Sequence, residues 1–400
     1  MLNQDILREA TRLTRAGQLV EATALLQRML RGERTPEATT GTTGDTAFGG
    51  REPLTIDVTP NSVEDRPSTA RAKTQSDQPR RPRAALNRTR LGPSLGLHGL
   101  TKRTPPSIRD IVPEGGRFTE GSFSNAAGSR AYKLFVPSCY QGQPLPLLVM
   151  MHGCTQSPDD FAAGTRMNFV AEEQACLVAY PAQRSDANPS KCWNWFRSHD
   201  QQRGSGEPSL IAGITRQIMR DYAVDPSRVY VAGLSAGAAA AAVMGATYGD
   251  LYAAIGVHSG LACGAASDLP SALIAMRQGG GSDARAPNAR PPVPTIVFHG
   301  DRDSTVHPNN GDQILAQLTR TTRTQTKEHR GRASGGHGYT RTIHSDAKGR
   351  DIFEHWTIHG AGHAWSGGSA AGSYTDPRGP DATREMLRFF LAHSLPRPPG

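Results

Sequence analysis

In the stretch Gly233-Leu234-Ser235-Ala236-Gly237 a serine stands between two glycines. Residues 228–232, RVYVA, precede it as a short β-branched and aromatic run that predicts a buried strand. The alanine-rich AGAAAAAVMGATYG that follows predicts a helix. A serine on so sharp a strand-to-helix turn is held in a strained backbone with Oγ pushed out above the sheet, where it can attack an acyl carbon. Gly233 and Gly237 are expected where strand and helix cross too closely for a Cβ. The pattern alone does not make a nucleophile, because a chain with 43 glycines produces it by chance as an ordinary tight turn.

A serine hydroxyl becomes nucleophilic when a base removes its proton, and that base is usually a histidine oriented by a buried carboxylate. Downstream of Ser235, PTIVFHG runs into DRDSTVHP, which offers Asp301 and Asp303. Further on, IHGAGHAWSGG offers His359 and His363. The order Ser, Asp, His is one in which such groups are known to assemble. Asp303 lies beyond the strand, before an apolar Val306 that anchors the loop, and is the preferred acid; Asp301 suits a turn-capping role. His359 falls within a strand run, whereas His363 follows Gly360-Ala361-Gly362 and is the preferred base.

The oxyanion formed in acyl attack needs fixed N–H donors. The amide after the nucleophile, Ala236, supplies one, and the loop after an earlier strand, MMHGCTQ, supplies that of Cys154. The Cys154 thiol itself suits packing. His152 at the same strand end, Trp193 and Trp195 in KCWNWF, and Trp365 just after the candidate base are candidate substrate-binding residues. Core packing is the competing reading for Trp193 and Trp195, which alternate as on a strand. The thirteen histidines are scattered without H-E-x-x-H or C-x-x-C, so no metal site is expected.

The elements that would position these residues begin near residue 112. RAYKLFVP, LPLLVMMHG, ACLVAYPA, RVYVAGLS, YAAIGVHSG, PTIVFHGDRD and IFEHWTIHG read as strands. The intervals leave room for helices at about 160–174, 205–222, 236–248, 309–320 and 381–393. Uninterrupted apolar strands alternating with helices predict an α/β fold with a mostly parallel central sheet and helices on both faces. In such sheets ligands bind at the carboxyl ends of the strands, where His152, Ser235, His258, Asp303 and His363 all fall. Residues 264–292 read as a cap or loop beside the site, and the two alternating runs around DAKG as a β-hairpin.

Residues 1–33 read as a helical hairpin, with Leu2, Ile6, Ala10 and Leu13 on one face and Leu19, Ala22, Leu25, Leu26 and Met29 on the next. No second copy follows for it to stack on, so its apolar face is expected to meet a partner. Residues 34–111 read as a disordered basic linker rich in Pro, Thr and Arg. Between Arg66 and Asp110 eleven Arg or Lys stand against two Asp, a net of +9, equal to that of the whole 400-residue chain. The remainder, including the catalytic domain expected at 112–394, is therefore balanced. A basic linker is ordinarily just solvated, and an anionic granule surface, polyphosphate or nucleic acid is the functional alternative. No sequence-reading nucleic-acid module is recognisable. The N-terminus carries charges where a signal peptide has its apolar core, and no run approaches a membrane span. Five cysteines, an odd number, fit reduced thiols and a cytoplasmic location, with Cys154 and Cys192 the pair to test for a disulfide.

Taken together, MMHGCTQSPDDFA, YPAQ…CWNWF, RVYVAGLSAGAAAA, FHGDRDSTVHPNNG and GAGHAWSGG resemble the catalytic domain of poly(3-hydroxybutyrate) depolymerases with the serine motif mid-domain. The resemblance covers roughly residues 112–394. It implies an α/β-hydrolase fold, kinship with feruloyl and acetylxylan esterases, a triad at Ser235, Asp303 and His363, an oxyanion position at Cys154, and no cofactor. Many members of that family are secreted and carry a polymer-binding domain. The N-terminal pair and basic linker here look instead like the intracellular branch, which degrades stored amorphous polyester. The expected substrate is thus poly(3-hydroxybutyrate), another short-chain polyhydroxyalkanoate or its oligomers, with the storage-granule surface met through the N-terminal region. The alternatives are a feruloyl or acetylxylan-type carboxylesterase and a non-catalytic granule-associated protein.

Overall fold

The structure, a computed structural model, describes residue 12 and residues 105–280, 292–334 and 336–396. Apart from Arg12 these belong to the unit Thr104–Gly400. The helical hairpin expected at 1–33 and most of the linker expected at 34–111 lie outside the described residues. The linker's expected end needs correction. Ile108–Ile111 (α1) forms a helical turn, opened where Ser107 N donates to Asp110 Oδ2 at 3.0 Å. Ile111 is buried, and Asn168 Nδ2 donates to its carbonyl at 2.9 Å, so the fold starts upstream of residue 112.

The elements then run β1 (Arg117–Asn125), β2 (Gly128–Val136), β3 (Leu145–Met151), α2 (Pro158–Thr165), α3 (Met167–Glu173), β4 (Leu177–Pro181) and α4 (Gly206–Asp221). Next come β5 (Val224–Leu234), α5 (Ala236–Thr247), β6 (Ala254–His258), α6 (Leu269–Gln278), β7 (Thr295–Gly300) and α7 (Asn309–Thr319). The chain closes with β8 (Gln325–Arg332), β9 (Gly338–Ser345), β10 (Asp351–Ile358), the two-residue strands β11 (Trp365–Ser366) and β12 (Thr375–Asp376), and α8 (Ala382–Leu391).

Ten strands form one sheet in the order β1-β2-β4-β3-β5-β6-β7-β10-β9-β8. From β4 to β10 every pairing is parallel, and β1, β2, β9 and β8 add antiparallel flanks. Because side chains alternate across a strand, each central strand feeds two cores. Leu147, Val149 and Met151 of β3 join Val229 and Val231 under α4 and α5. Leu148 and Met150 join Tyr230 and Ala232 under α2, α3 and α8. This two-sided burial explains why the central strands read as unbroken apolar runs.

The helix expected at about 160–174 is broken in two. Arg166 adopts a left-handed backbone (φ 55°), acting as C-cap of α2 and N-cap of α3. The segment read as a cap or loop contains α6, whose Asp268 N-cap accepts from Ser271 N at 2.9 Å. Among the described residues no helix is long and apolar enough to cross a membrane.

Candidate active site

The site gathers at the carboxyl ends of β3, β5, β6, β7 and β10. Ser235 joins β5 to α5 with φ 58° and ψ −120°, a conformation that non-glycine residues rarely adopt. Two backbone bonds hold it there: Ser235 N donates to His258 O at 2.9 Å, and Ala239 N to Ser235 O at 3.0 Å. A Cβ on Gly233 would collide with the Gly237 backbone, and one on Gly237 with the carbonyls of Met151 and His152. Both glycines are thus required by the close crossing expected from the sequence. Ser235 itself is 8% exposed, a small opening at the top of the sheet.

Asp303 stands in the loop after β7. Its Oδ1 accepts the Thr305 and Val306 amides, each at 2.9 Å, which fixes the carboxylate as part of a side-chain-closed turn. Its Oδ2 accepts from His363 Nδ1 at 2.7 Å. Burial pushes the Asp303 carboxyl up, but the hydrogen bond and charge of His363, the Val306 amide and His299 outweigh it, leaving the group below its ordinary value. An ionised Asp303 requires the proton on His363 Nδ1, so Nε2 is the nitrogen able to take another.

The second Asp–His combination is a separate pair. Asp301 Oδ2 lies 3.1 Å from His359 Nδ1 and its Oδ1 accepts the Gly360 amide at 2.7 Å. His359 Nε2 meets Thr340 Oγ1 at 2.9 Å. Asp301 therefore closes the turn that launches residues 360–363, and both members of this pair are half-exposed.

The loop after β3 lies against the serine: a Cβ on Gly153 would stand 3.6 Å from Ser235 Cβ. Gly153 N donates to Gln156 Oε1 at 2.9 Å, and the Gln156 amide group is held by Asp160 and Ser373. Among the described residues, neither the Cys154 nor the Ala236 amide donates a hydrogen bond, which leaves both available to an oxyanion. A disulfide joins Cys154 to Cys192, with their Cα atoms 4.2 Å apart, tying this loop to the Trp193–Trp195 segment. Cys139, Cys176 and Cys263 are free.

Four residues expected to contact substrate are buried instead. His152 is 1% exposed; its Nδ1 donates to Gly153 O at 2.7 Å and its Nε2 accepts the Gln183 amide at 3.1 Å. Trp193 Nε1 donates to His152 O at 3.0 Å, and Trp365 Nε1 to Thr383 Oγ1 at 2.9 Å. Trp195 is buried in the same core and packs edge-on against Phe196. His152, Trp193 and Trp365 brace the loops rather than line a cleft, because each polar edge already has a protein partner. The strand alternation read for Trp193 and Trp195 is absent; they lie in a loop.

His258, at the end of β6, packs between Trp365 and Phe298, with ring centroids 5.0 and 5.7 Å away. Its Nε2 accepts the Ser366 amide at 3.0 Å. Burial pushes its imidazole down to about 3, and that of His152 to about 4. Tyr374 gave no sequence signal. It is 45% exposed on a left-handed backbone, with its hydroxyl 3.3 Å from Thr155 Oγ1, next to Cys154. Among the described residues no three His, Cys, Asp or Glu side chains cluster as a metal site.

A parallel sheet with a serine elbow, a loop carboxylate and a histidine at adjoining strand ends is the layout of an α/β-hydrolase esterase. The likeness to the acetyl xylan esterase of Aspergillus awamori supports this fold: TM-score 0.54 at 20% identity, covering 68% of this chain and 99% of that one. The chain belongs to the esterase PHB depolymerase family, whose model matches residues 130–336. That stretch includes Ser235 and Asp303 and stops short of His363. Poly(3-hydroxyalkanoate) depolymerase C of Paucimonas lemoignei is 33% identical over 254 residues, 60% of each chain. A probable acetylxylan esterase A of Neosartorya fischeri is 29% identical over 225 residues, 50% of this chain and 59% of that one. Feruloyl esterase B of Thermothelomyces thermophilus is 27% identical over 232 residues, 53% of this chain and 77% of that one. The chain spans about three-fifths of the length of the first of these relatives.

Proposed function

We propose that this chain is a serine esterase acting on short-chain 3-hydroxyalkanoate polyester or its oligomers. Ser235 Oγ attacks the ester carbonyl while His363 Nε2 takes the hydroxyl proton. The tetrahedral oxyanion is held by the Cys154 and Ala236 amides. His363 returns its proton to the departing 3-hydroxyl oxygen, leaving an acyl-Ser235. Water, deprotonated by the same nitrogen, then releases the acid and restores the serine. Asp303 keeps the imidazole in the tautomer this cycle needs.

One observation carries the reading: the 2.7 Å Asp303–His363 pair stands at the same sheet end as a serine held at φ 58°. The substrate class draws on the depolymerase relative at 33% identity. The test is release of 3-hydroxybutyrate from amorphous granules and from a trimer, beside methyl ferulate and acetylated xylan as competitors. Faster turnover of either competitor would favour the second reading, a feruloyl or acetylxylan-type carboxylesterase, which draws on the other relatives. A Ser235→Ala protein with full activity would defeat both.

As partner we propose the polyester surface, met through residues 1–110. The compartment reading needs adjustment. Disulfides persist in oxidising surroundings and are rare in a reducing cytoplasm. The Cys154–Cys192 bridge therefore weighs against the cytoplasmic location expected from the cysteine count. Imaging a tagged chain in cells with and without granules, whole and lacking residues 1–110, tests partner and location together.

A further inference from the structure

Two buried imidazole nitrogens behind the candidate acid have no hydrogen-bond partner: His299 Nδ1 and His355 Nε2. They lie on the paired strands β7 and β10 and converge on one spot. A Cβ on Gly311 of α7 would stand 3.2 Å from His299 Nδ1 and 3.0 Å from His355 Nε2. The helix thus presents a bare glycine where the two nitrogens meet. Leaving two buried polar atoms unpaired costs about 1–3 kcal/mol each, so their convergence calls for a shared water.

The tautomers follow from the other ring atoms. His299 Nε2 lies 2.8 Å from Val306 O, a group that only accepts, so Nε2 carries the hydrogen. The same Nε2 is 3.6 Å from Asp303 Oδ2, the oxygen that binds His363. Burial lowers the His299 imidazole from its ordinary value and that of His355 to about 4, so both rings are neutral. His299 Nδ1 is then a bare lone pair, and a water donating to it and to His355 Nε2 completes the arrangement. His355 then carries its hydrogen on Nδ1, which faces the exposed Asp312 Oδ1 at 3.8 Å.

We propose that His299 is a positioning residue for Asp303, locked by a water that bridges its Nδ1 to His355 Nε2 beside Gly311. The inference rests on the triad reading above and deepens it. The charged and titratable groups facing the pair are Asp303 and His363 on the site loops, His258 on β6, Asp312 on α7 and His344 on β9. In this arrangement His299 supplies Asp303 Oδ2 with a second N–H dipole. Without that dipole the carboxylate acts more strongly on an imidazolium at His363, whose protonation then begins at higher pH.

The experiment follows kcat and KM for p-nitrophenyl butyrate against pH in His299→Leu, His299→Gln and His355→Leu. In His299→Leu, kcat falls about tenfold with KM within about twofold. The acid limb of kcat/KM moves up by roughly half a pH unit. His299→Gln, which keeps an N–H near the Nε2 position, returns the limb toward its original place. His355→Leu moves it in the same direction as His299→Leu. An unmoved limb in folded His299→Leu and His355→Leu overturns the proposal, as does a loss of kcat without any limb shift. Should His299→Leu fail to fold, the His355→Leu profile decides alone. Ser235→Ala separates the two levels: if it is inactive while the limb stays put, only this inference fails.

Discussion

Ser235 is tied to His258 through the main chain, its amide donating to the His258 carbonyl at 2.9 Å. The imidazole of that same residue accepts the Ser366 amide at 3.0 Å, three residues beyond His363. One buried residue thus contacts both the elbow and the segment that follows the candidate base. A neutral ring with Nε2 as acceptor carries its proton on Nδ1, which donates to Ser259 Oγ at 3.2 Å. His258→Phe keeps the stacking on Trp365 and Phe298 but strands the Ser366 amide. The expected result is a loss of about 1–3 kcal/mol in urea unfolding together with a lower kcat; an unchanged kcat would show that the pin does not matter for chemistry.

Asp303→Asn removes the charge that fixes the His363 tautomer while leaving the Oδ1 turn to Thr305 and Val306 largely intact. Hydrolysis of p-nitrophenyl butyrate should fall by about four orders of magnitude with an unchanged melting temperature. Asp301→Asn, acting on a separate half-exposed pair, should leave kcat within about threefold.

Reduction of the Cys154–Cys192 bridge releases a loop closed across 38 residues of sequence. Chain-entropy arguments put such a closure at about 4 kcal/mol. Cys192→Ser should therefore lower the melting temperature and also depress kcat, since the Cys154 amide loses one of its anchors. Thermal melts with and without dithiothreitol, paired with activity, check both parts.

Gly237→Ala places a methyl against the carbonyls of Met151 and His152. Neither is a flexible side-chain end, so strand and helix must separate. A cost of about 3 kcal/mol is expected, read as a lower denaturation midpoint; an alanine accepted without loss would contradict the crossing described here.

His152, His258 and His355 are buried neutral, with imidazoles pushed down to about 4, 3 and 4. The unfolded chain binds protons on them below about 6.5 while the folded chain does not. Their contribution to stability is therefore intact above that pH and is lost as pH falls toward about 4. The expected slope is roughly 1 kcal/mol per histidine per pH unit. Urea titrations at pH 7, 6 and 5 measure it, and a flat response would sink the assignment of neutral buried rings.

The sheet and its chemistry-bearing strand ends could be read from the chain because each was written locally. Apolar runs buried on both faces look alike whatever covers them, and the serine turn carries its glycines with it. What could not be read depends on distant partners. Trp193 in a loop and Trp365 in the two-residue strand β11 stand beside the site, yet their indole N–H groups find His152 O and Thr383 Oγ1, which pulls the rings inward. Nothing local distinguishes such a tryptophan from one that paves a cleft. The strands β1 and β8 lack apolar alternation, since both lie at the margins of the sheet with most residues exposed. The left-handed turn at Arg166 fell inside a pattern that otherwise reads as one helix. His299 and His355 matter only because β7 and β10 become neighbours.

The polar outermost strand β8 has a consequence for the molecule in company. Among the described residues no strand pairs with its outer rim, and such a rim of peptide groups can template a further strand from another copy, the usual route to fibrous association. Lys327, Glu328, Arg330 and Arg332, all exposed along that rim, would have to surrender their hydration for a neighbour to dock. The charge that hid this strand from recognition thus makes such docking costly.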